Sequence, residues 1–439
     1  MADAYPSPYP NNSADIRESW EHGTMKPLFM LALMAALAPV VASSQAPETY
    51  IIDPYPAGKP GGSNVNMSLV KTLGFFTSKT IPSVVSGTGR GLYLYTSSSG
   101  ELSGRWVRST IDPVGEFYES SAAFLKAGDT YPGVVASRSR QLVWYSNPIN
   151  RGGDPSQPWP MVIINPYAGC HDLRVGDVDQ DGLPDIVCSA TTRQGTLNFV
   201  AFQDDSTHWK IVDDPFRLQG FVAIIGEGID LISISGGPRI NVVAANDSGV
   251  YWFKNPKLTG GNPRTDPWLG SRVGDGNLGV ALATGVFNRS GEGIVVASGE
   301  ELPAPWAPGL VWYEPPLDPI QPWVSHSVDS THRWIHQINT GNFNGRPYFI
   351  VAEQEQACGT PLVAATHPGI PCRVTMFQFK EGSFIPFSIY DKGTQNQAVI
   401  HYKGGLLVVG ANHGVYGTLY PALRAWFIDE VSLAGSSSR

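Results

Sequence analysis

The chain has 439 residues, 42% of them hydrophobic, and a formal charge of -8. That is apolar material for a large packed domain, which excludes a disordered chain, and with no long basic run it also excludes a nucleic-acid surface. Glycine (48) and proline (36) are abundant while 15% of residues are charged, the profile of an all-β chain of short strands and tight turns.

From Met25 the sequence reads "MKPLFMLALMAALAPVVASSQA": one lysine, an apolar core of about 14 residues, then small residues. This predicts a secretory signal peptide over 25–46, cleaved between about Ser43 and Pro47, with a signal anchor as the alternative. The apolar run is too short for a stable membrane span and Pro39 sits near its end. The polar residues 1–24 precede a natural start and read as an extension of the gene model. A secreted, extracellular protein keeps its cysteines oxidised, so Cys170 is expected to pair with Cys188 and Cys358 with Cys372. The sequons at Asn66, Asn246 and Asn288 are then candidate glycosylation sites.

Beyond residue 47 an apolar strand recurs: "SVVSG", "GVVAS", "DIVCS", "NVVAA", "IVVAS", "FIVAE" and "LVVGA", spaced by roughly 50 to 58 residues. Each is followed by an aromatic strand such as "LVWYSNP" or "VYWFKNP", and then by a strand ending in an acidic turn such as "STIDP". Only six acidic-turn strands follow the others; the seventh stands at the front of the chain, as "YIIDPY" from Tyr50. A ring closed by laying the N-terminal strand on the last blade explains that displacement, because closure hides sheet edges. The prediction is a seven-bladed β-propeller over 47–432, with 433–439 a flexible tail. With strands A to D running outward from the axis, the A-to-B and C-to-D loops share one face of the disc. The D-to-A and B-to-C loops share the other. The tryptophans that open D strands (Trp106, Trp159, Trp209, Trp268, Trp323) and those within C strands (Trp144, Trp252, Trp312, Trp426) read as packing between blades.

The third blade carries "DVDQDGLPD" between its A and B strands. Asp177, Asp179, Asp181 and Asp185, with the carbonyl of Leu183, fall at the ligand positions of a calcium loop, and Gly182 permits the sharp turn. Hard oxygen ligands at this density suit Ca²⁺. The stretch resembles an FG-GAP or VCBS repeat, the calcium-loop blade of integrin α-subunits and many secreted propellers. Blade six, "HQINTGNFNGRPYFIVAE", fits the same frame with a shortened loop and no aspartates, so no ion is expected there. Together with the "VYWFKNP" and "LVWYSNP" strands, the pattern over most of 47–430 is similar to the propeller domain of fungal aldos-2-ulose dehydratase, though the chain has no room for that enzyme's cupin domains. The resemblance implies a structural calcium ion and a carbohydrate-active lyase.

On the opposite face, His171, Asp172 and Arg174 open blade three, and Arg333, Trp334 and His336 open blade six. His171 and His336 hold the same position in their blades, which makes them candidate proton-transfer groups, with Asp172 beside them and Arg174 or Arg333 to stabilise charge. Trp306, Trp334, Glu353, Glu355, Asn412 and His413 are candidate substrate-binding residues, the tryptophans as stacking platforms for a sugar ring. Zinc or another divalent ion on His171, His336 and a carboxylate is a further option. No nucleophile elbow, phosphate loop or dinucleotide fingerprint is present, against hydrolase, kinase and dehydrogenase readings. Three functions fit: a carbon-oxygen lyase or dehydratase acting on a sugar or keto-sugar, a lectin-like binding protein, or a tailoring enzyme for a secreted small molecule.

Overall fold

A computed structural model describes residues 46–429 except 56–67, 117–119, 190–197, 206, 219–220, 223–227, 247–248, 275–280, 289–290, 298–308, 333–334, 354–371, 395 and 412–421. The strands form seven antiparallel A-B-C-D sheets. The B strands are the recurring apolar segments: Ser83–Thr88, Gly133–Arg138, Asp185–Cys188, Asn241–Asn246, Gly291–Ala297, Arg346–Glu353 and Gly405–Ala411. Ser83–Thr88 and Gly405–Ala411 are buried at every position, because a middle strand faces a neighbouring blade on both sides. D strands lie at the rim and show the mixed exposure of an outer edge, as in Met161–Asn165.

Thr49–Asp53 pairs antiparallel with Leu423–Ile428 and becomes the outer strand of blade seven. Trp426 Nε1 donates to Thr49 Oγ1 at 3.0 Å across 377 residues of sequence, and the Tyr402 hydroxyl donates to the Gly100 carbonyl of blade one at 2.8 Å. The protein is a seven-bladed β-propeller closed by its N-terminal strand.

The repeated sequence signals have specific structural jobs. Trp106, Trp159, Trp268 and Trp323 each donate an indole N–H to a carbonyl four or five residues earlier, closing the C-to-D loop, while their rings enter the packing between blades. In the "NP" turns, Asn147 and Asn255 cap the short 3-10 helices Pro148–Arg151 and Pro256–Thr259 and reach back to the preceding blade, donating to the Phe76 and Val178 carbonyls at 2.8 and 2.7 Å. The acidic turns also tie blades together: Asp53 accepts from the Tyr95 hydroxyl at 3.0 Å and Asp112 from Tyr145 at 2.6 Å, each tyrosine belonging to the next blade.

Blade four departs from the four-strand pattern. The connection from blade three folds into Phe216–Leu218 and Phe221–Val222, and the first of these pairs parallel with Trp268–Gly270, giving a six-stranded sheet. Fully buried Phe216 drives this: its ring meets Phe253 and Trp268 at 5.0 and 5.7 Å between centroids, so the connection must run along the blade's outer edge.

Candidate functional site

His171 lies two residues before the A strand Leu173–Gly176 of blade three, and His336 is the second residue of the A strand Ile335–Phe343 of blade six. Blades three apart in a ring of seven face one another across the axis. The two imidazoles accordingly meet there, with centroids 6.4 Å apart and planes at 49°.

The backbone at His171 is fixed from several sides. Its N–H donates to the Ser189 carbonyl at 3.3 Å, and Ser189 in turn donates from both its N–H and its hydroxyl to the Asp172 carbonyl at 3.0 Å. Cys170 and Cys188 form a disulfide that joins the entry of the A strand to the end of the B strand. The Cys170 carbonyl accepts from Ser120 of blade two at 3.0 Å. Cys372 is also disulfide-bonded, and its expected partner Cys358 lies outside the described residues.

Behind the histidines the A strands are joined by polar side chains. Arg174 donates to Asp172 at 2.8 Å and to Asp230 of blade four at 3.1 Å. Buried Asp230 also accepts from the Thr284 N–H and hydroxyl of blade five at 2.9 and 3.1 Å and from Arg239 at 3.3 Å. Burial works against both charges, but each answers the other: Asp172 and Asp230 hold the Arg174 guanidinium above its ordinary range, while Arg174, Arg239 and backbone N–H groups hold Asp230 below its own. Thr340 of blade six donates to the Thr284 carbonyl, and Asn339 donates to the Gln397 carbonyl of blade seven at 3.0 Å. Thr72 and Ser121 link blades one and two at 2.7 Å. These contacts join the A strands of blades three to seven in series, and those of blades one and two to each other.

Sequence reasoning missed Asp230, Arg239 and Thr284. The available signal was "GIDLI", a lone aspartate in an otherwise apolar strand, whose burial demands a cationic partner.

Glu353 is buried at the end of its B strand and paired with Arg373 at 2.9 Å, so its carboxylate serves an ion pair. His332, near the entry to blade six, is likewise buried between Asp329 at 2.8 Å and Thr375 at 2.9 Å. Burial works to raise Asp329, but the His332 ring and N–H and the Thr331 N–H outweigh it and bring Asp329 down to about 2. Arg333, Trp334, Trp306, Glu355, Asn412, His413 and Asn66 lie outside the described residues, as do 1–45 and 430–439. Asn246 and Asn288 are the last residues of the strands Asn241–Asn246 and Ala281–Asn288.

The aspartate loop sits at the opposite face, between Gly176 and Asp185. Ligand oxygens of Asp177, Asp179 and Asp185 lie within 4.8 Å of one another, and among the described residues this is the group of acidic, histidine or cysteine side chains arranged to hold a metal; it does not include the histidine pair. The loop is shaped by its own backbone. Asp177 accepts from the Asp181 and Gly182 N–H groups at 3.0 Å, Asp181 from Leu183 at 2.8 Å, and Asp185 from Val178 at 2.9 Å and Gln203 at 3.0 Å. Gly182 turns the chain at φ 89°. Burial pushes Asp185 up to about 8, with Asp179 adding to the effect against the N–H donors. Asp179 Oδ1 is buried without a hydrogen-bond partner among the described residues. An all-oxygen donor set with surplus negative charge and an unused buried oxygen fits a hard divalent cation. Blade six instead crosses the same position by a two-residue turn, Asn344–Gly345, with φ of 53° and 75°.

No family model and no curated protein matches the chain. Among solved structures it is similar to an ancestral GH74 enzyme, with a TM-score of 0.38 and 12% identity, over 83% of this chain and 56% of that one. The match spans little more than half of that enzyme's length, and the seven-bladed ring rests here on the strand pairing itself.

Proposed function

We propose that the axial mouth on the histidine face binds a polyhydroxylated small molecule and eliminates water from it, making the protein a secreted carbon-oxygen lyase of the dehydratase type acting on a sugar or keto-sugar. The observation that carries this reading is the pair His171 and His336, brought from opposite blades to 6.4 Å between ring centroids. Elimination beside a carbonyl needs a base to take the carbon-bound proton and an acid to protonate the departing hydroxyl. An imidazole's unperturbed pKa suits either role at neutral pH. In the balanced step one imidazole takes the proton, the C–H electrons form the new C=C bond, the C–O bond breaks, and the other imidazole's proton leaves with the oxygen as water. Arg174 or Arg333 is assigned to the charge developing on the adjacent oxygen; Arg174 is already shared between Asp172 and Asp230.

The same reading assigns Ca²⁺ to the blade-three loop, with Asp177, Asp179 and Asp185, whose oxygens the fold gathers, as ligands beside Asp181 and the Leu183 carbonyl, on the face away from the chemistry. What supports it is the oxygen donor set and the FG-GAP-like spacing. The ion would pin the loop between blades and take no part in the elimination.

The test is incubation with a panel of keto-sugars and uronate-containing glycans, following a new conjugated enone or enol-ether absorbance. His171→Ala and His336→Ala should each lower turnover about 10²-fold or more with little change in substrate affinity. Sugar binding without product across the panel would replace the lyase with a lectin.

A further inference from the structure

We infer that Arg264 is the built-in counter-ion of the aspartate loop, setting how tightly that loop holds a divalent cation and tying cation binding in blade three to the C-to-D loop of blade four. The inference rests on the calcium reading above and deepens it.

Arg264 lies in "TGGNPRTDPW", the loop before the D strand of blade four. Its guanidinium meets Asp179 at 2.5 Å and Asp181 at 3.0 Å, also pairs with Asp204, and reaches the Gln203 carbonyl at 3.3 Å. Its charged carbon stands 5.1 Å from the centre of the Phe202 ring. The two oxygens of Asp179 therefore have different company. Oδ2 faces Arg264, while Oδ1 has no hydrogen-bond partner among the described residues although the side chain is only 8% exposed. With Asp177 and Asp185 close by, that unused oxygen marks the side of the loop left for a cation.

The charge balance is one-sided. Asp179, Asp181 and Asp204 pair with the Arg264 guanidinium, Asp177 and Asp185 stand in the same loop, and Lys257 lines the same pocket, so the cations reduce the loop's negative charge without cancelling it. The effect of Arg264 on a bound cation is then repulsive, because two like-signed centres share one set of carboxylates. The opposing possibility is that Arg264 is needed to shape the loop. The turn's own bonds argue against this: Asp177 holds the Asp181 and Gly182 N–H groups and Asp185 holds Val178, none of them through Arg264. The corresponding loop of blade two, "RGGDPSQPW", carries Ser156 after its proline where blade four carries Arg264, and the blade-one loop it docks on has no aspartate. The arginine occurs where the facing loop is acidic.

Removing a unit charge about 6 Å from a divalent ion should tighten binding at least about tenfold, the factor Coulomb's law gives with the full dielectric of water between the two. The experiment is calcium titration calorimetry on the full chain, paired with thermal melts in chelator and in calcium. Arg264→Gln should bind calcium at least about tenfold more tightly than wild type and yet melt lower in chelator, since a tie between blades is lost; Arg264→Lys, which keeps the charge, should stay near wild type. Asp204→Asn, a half-exposed change outside the cage, serves if Arg264→Gln does not fold. It releases Arg264 to sit wholly on Asp179 and Asp181 and should weaken calcium binding about threefold. Unchanged or weaker binding by Arg264→Gln, or unchanged or tighter binding by Asp204→Asn, with wild type binding normally, overturns the role of Arg264 alone. Absence of calcium binding in wild type overturns the calcium reading and this inference with it.

Discussion

Blade one and blade three cross from strand A to strand B with loops of equal length, Gly74 to Ser83 and Gly176 to Asp185, and with proline at the same place, Pro82 and Pro184. Both insert one fully buried apolar side chain, Phe76 or Val178, and both offer that residue's carbonyl to the "NP" asparagine of the next blade. They differ at the positions between. Blade one has Phe75, Thr77, Lys79 and Ser83 where blade three has Asp177, Asp179, Asp181 and Asp185. In blade one hydroxyls are enough to hold the turn, Ser78 accepting from Thr80 and Ile81 at 3.2 Å and Thr77 meeting Ser83 at 3.3 Å. The fold therefore does not require carboxylates at this place. Four of them is more negative charge than a turn needs, and the surplus is what a cation and Arg264 would answer.

The largest expected effect tests what the two loops share. Phe76→Ala should cost about 3–5 kcal/mol of stability, since the ring fills the space against Trp159 and has no room to be replaced. Denaturant unfolding measures it, and the loss should be the same with and without calcium; a calcium-dependent loss would break the separation between plug and cage. Next in size is the cation itself. Calcium at a hundredfold excess over Kd should add about 2.7 kcal/mol to wild-type stability, seen by calorimetry against chelator. Asp179→Thr, which copies blade one, should remove that difference. An unchanged calcium response in this variant would sink the cage. The smallest effect sharpens the comparison at the shared asparagine. Asn147→Ala and Asn255→Ala each remove two buried bonds to carbonyls, 2.8 and 3.0 Å for the first and 2.7 and 3.0 Å for the second, and should each cost about 2 kcal/mol. In melts with and without chelator, Asn255→Ala alone should also shrink the calcium increment, because its partner Val178 lies inside the aspartate loop.

What was legible in the sequence is what repeats. The B, C and D strands, the closing strand at Thr49–Asp53 and the equivalence of His171 with His336 all follow from a frame that recurs along the chain, and a ring turns equal frame positions into neighbours around one axis. The unread parts occur once. Arg264 meets Asp179 across 85 residues and Arg174 meets Asp230 across 56, and no local period announces such pairs. The strand at Phe216–Leu218 escaped for a related reason: parallel pairing to Trp268–Gly270 is decided by where a single buried phenylalanine lodges. Asp230 alone left a trace, as a charge where the strand's packing forbids one without a partner.

The outer strand of blade seven is made from the first described segment of the chain and held by the last, with Thr49 and Trp426 separated by 377 residues. During synthesis the early blades can assemble as they emerge, but this segment must stay unpaired until the final strand is made. Closing so long a loop is entropically costly and slow. Until it happens Leu423–Ile428 carries an open edge able to capture another chain's strand. The ring thus acquires its resistance to unfolding in one late step, and a nick anywhere between Asp53 and blade one would leave the closing strand held only by its pairing, turning a permanent seam into a reversible one.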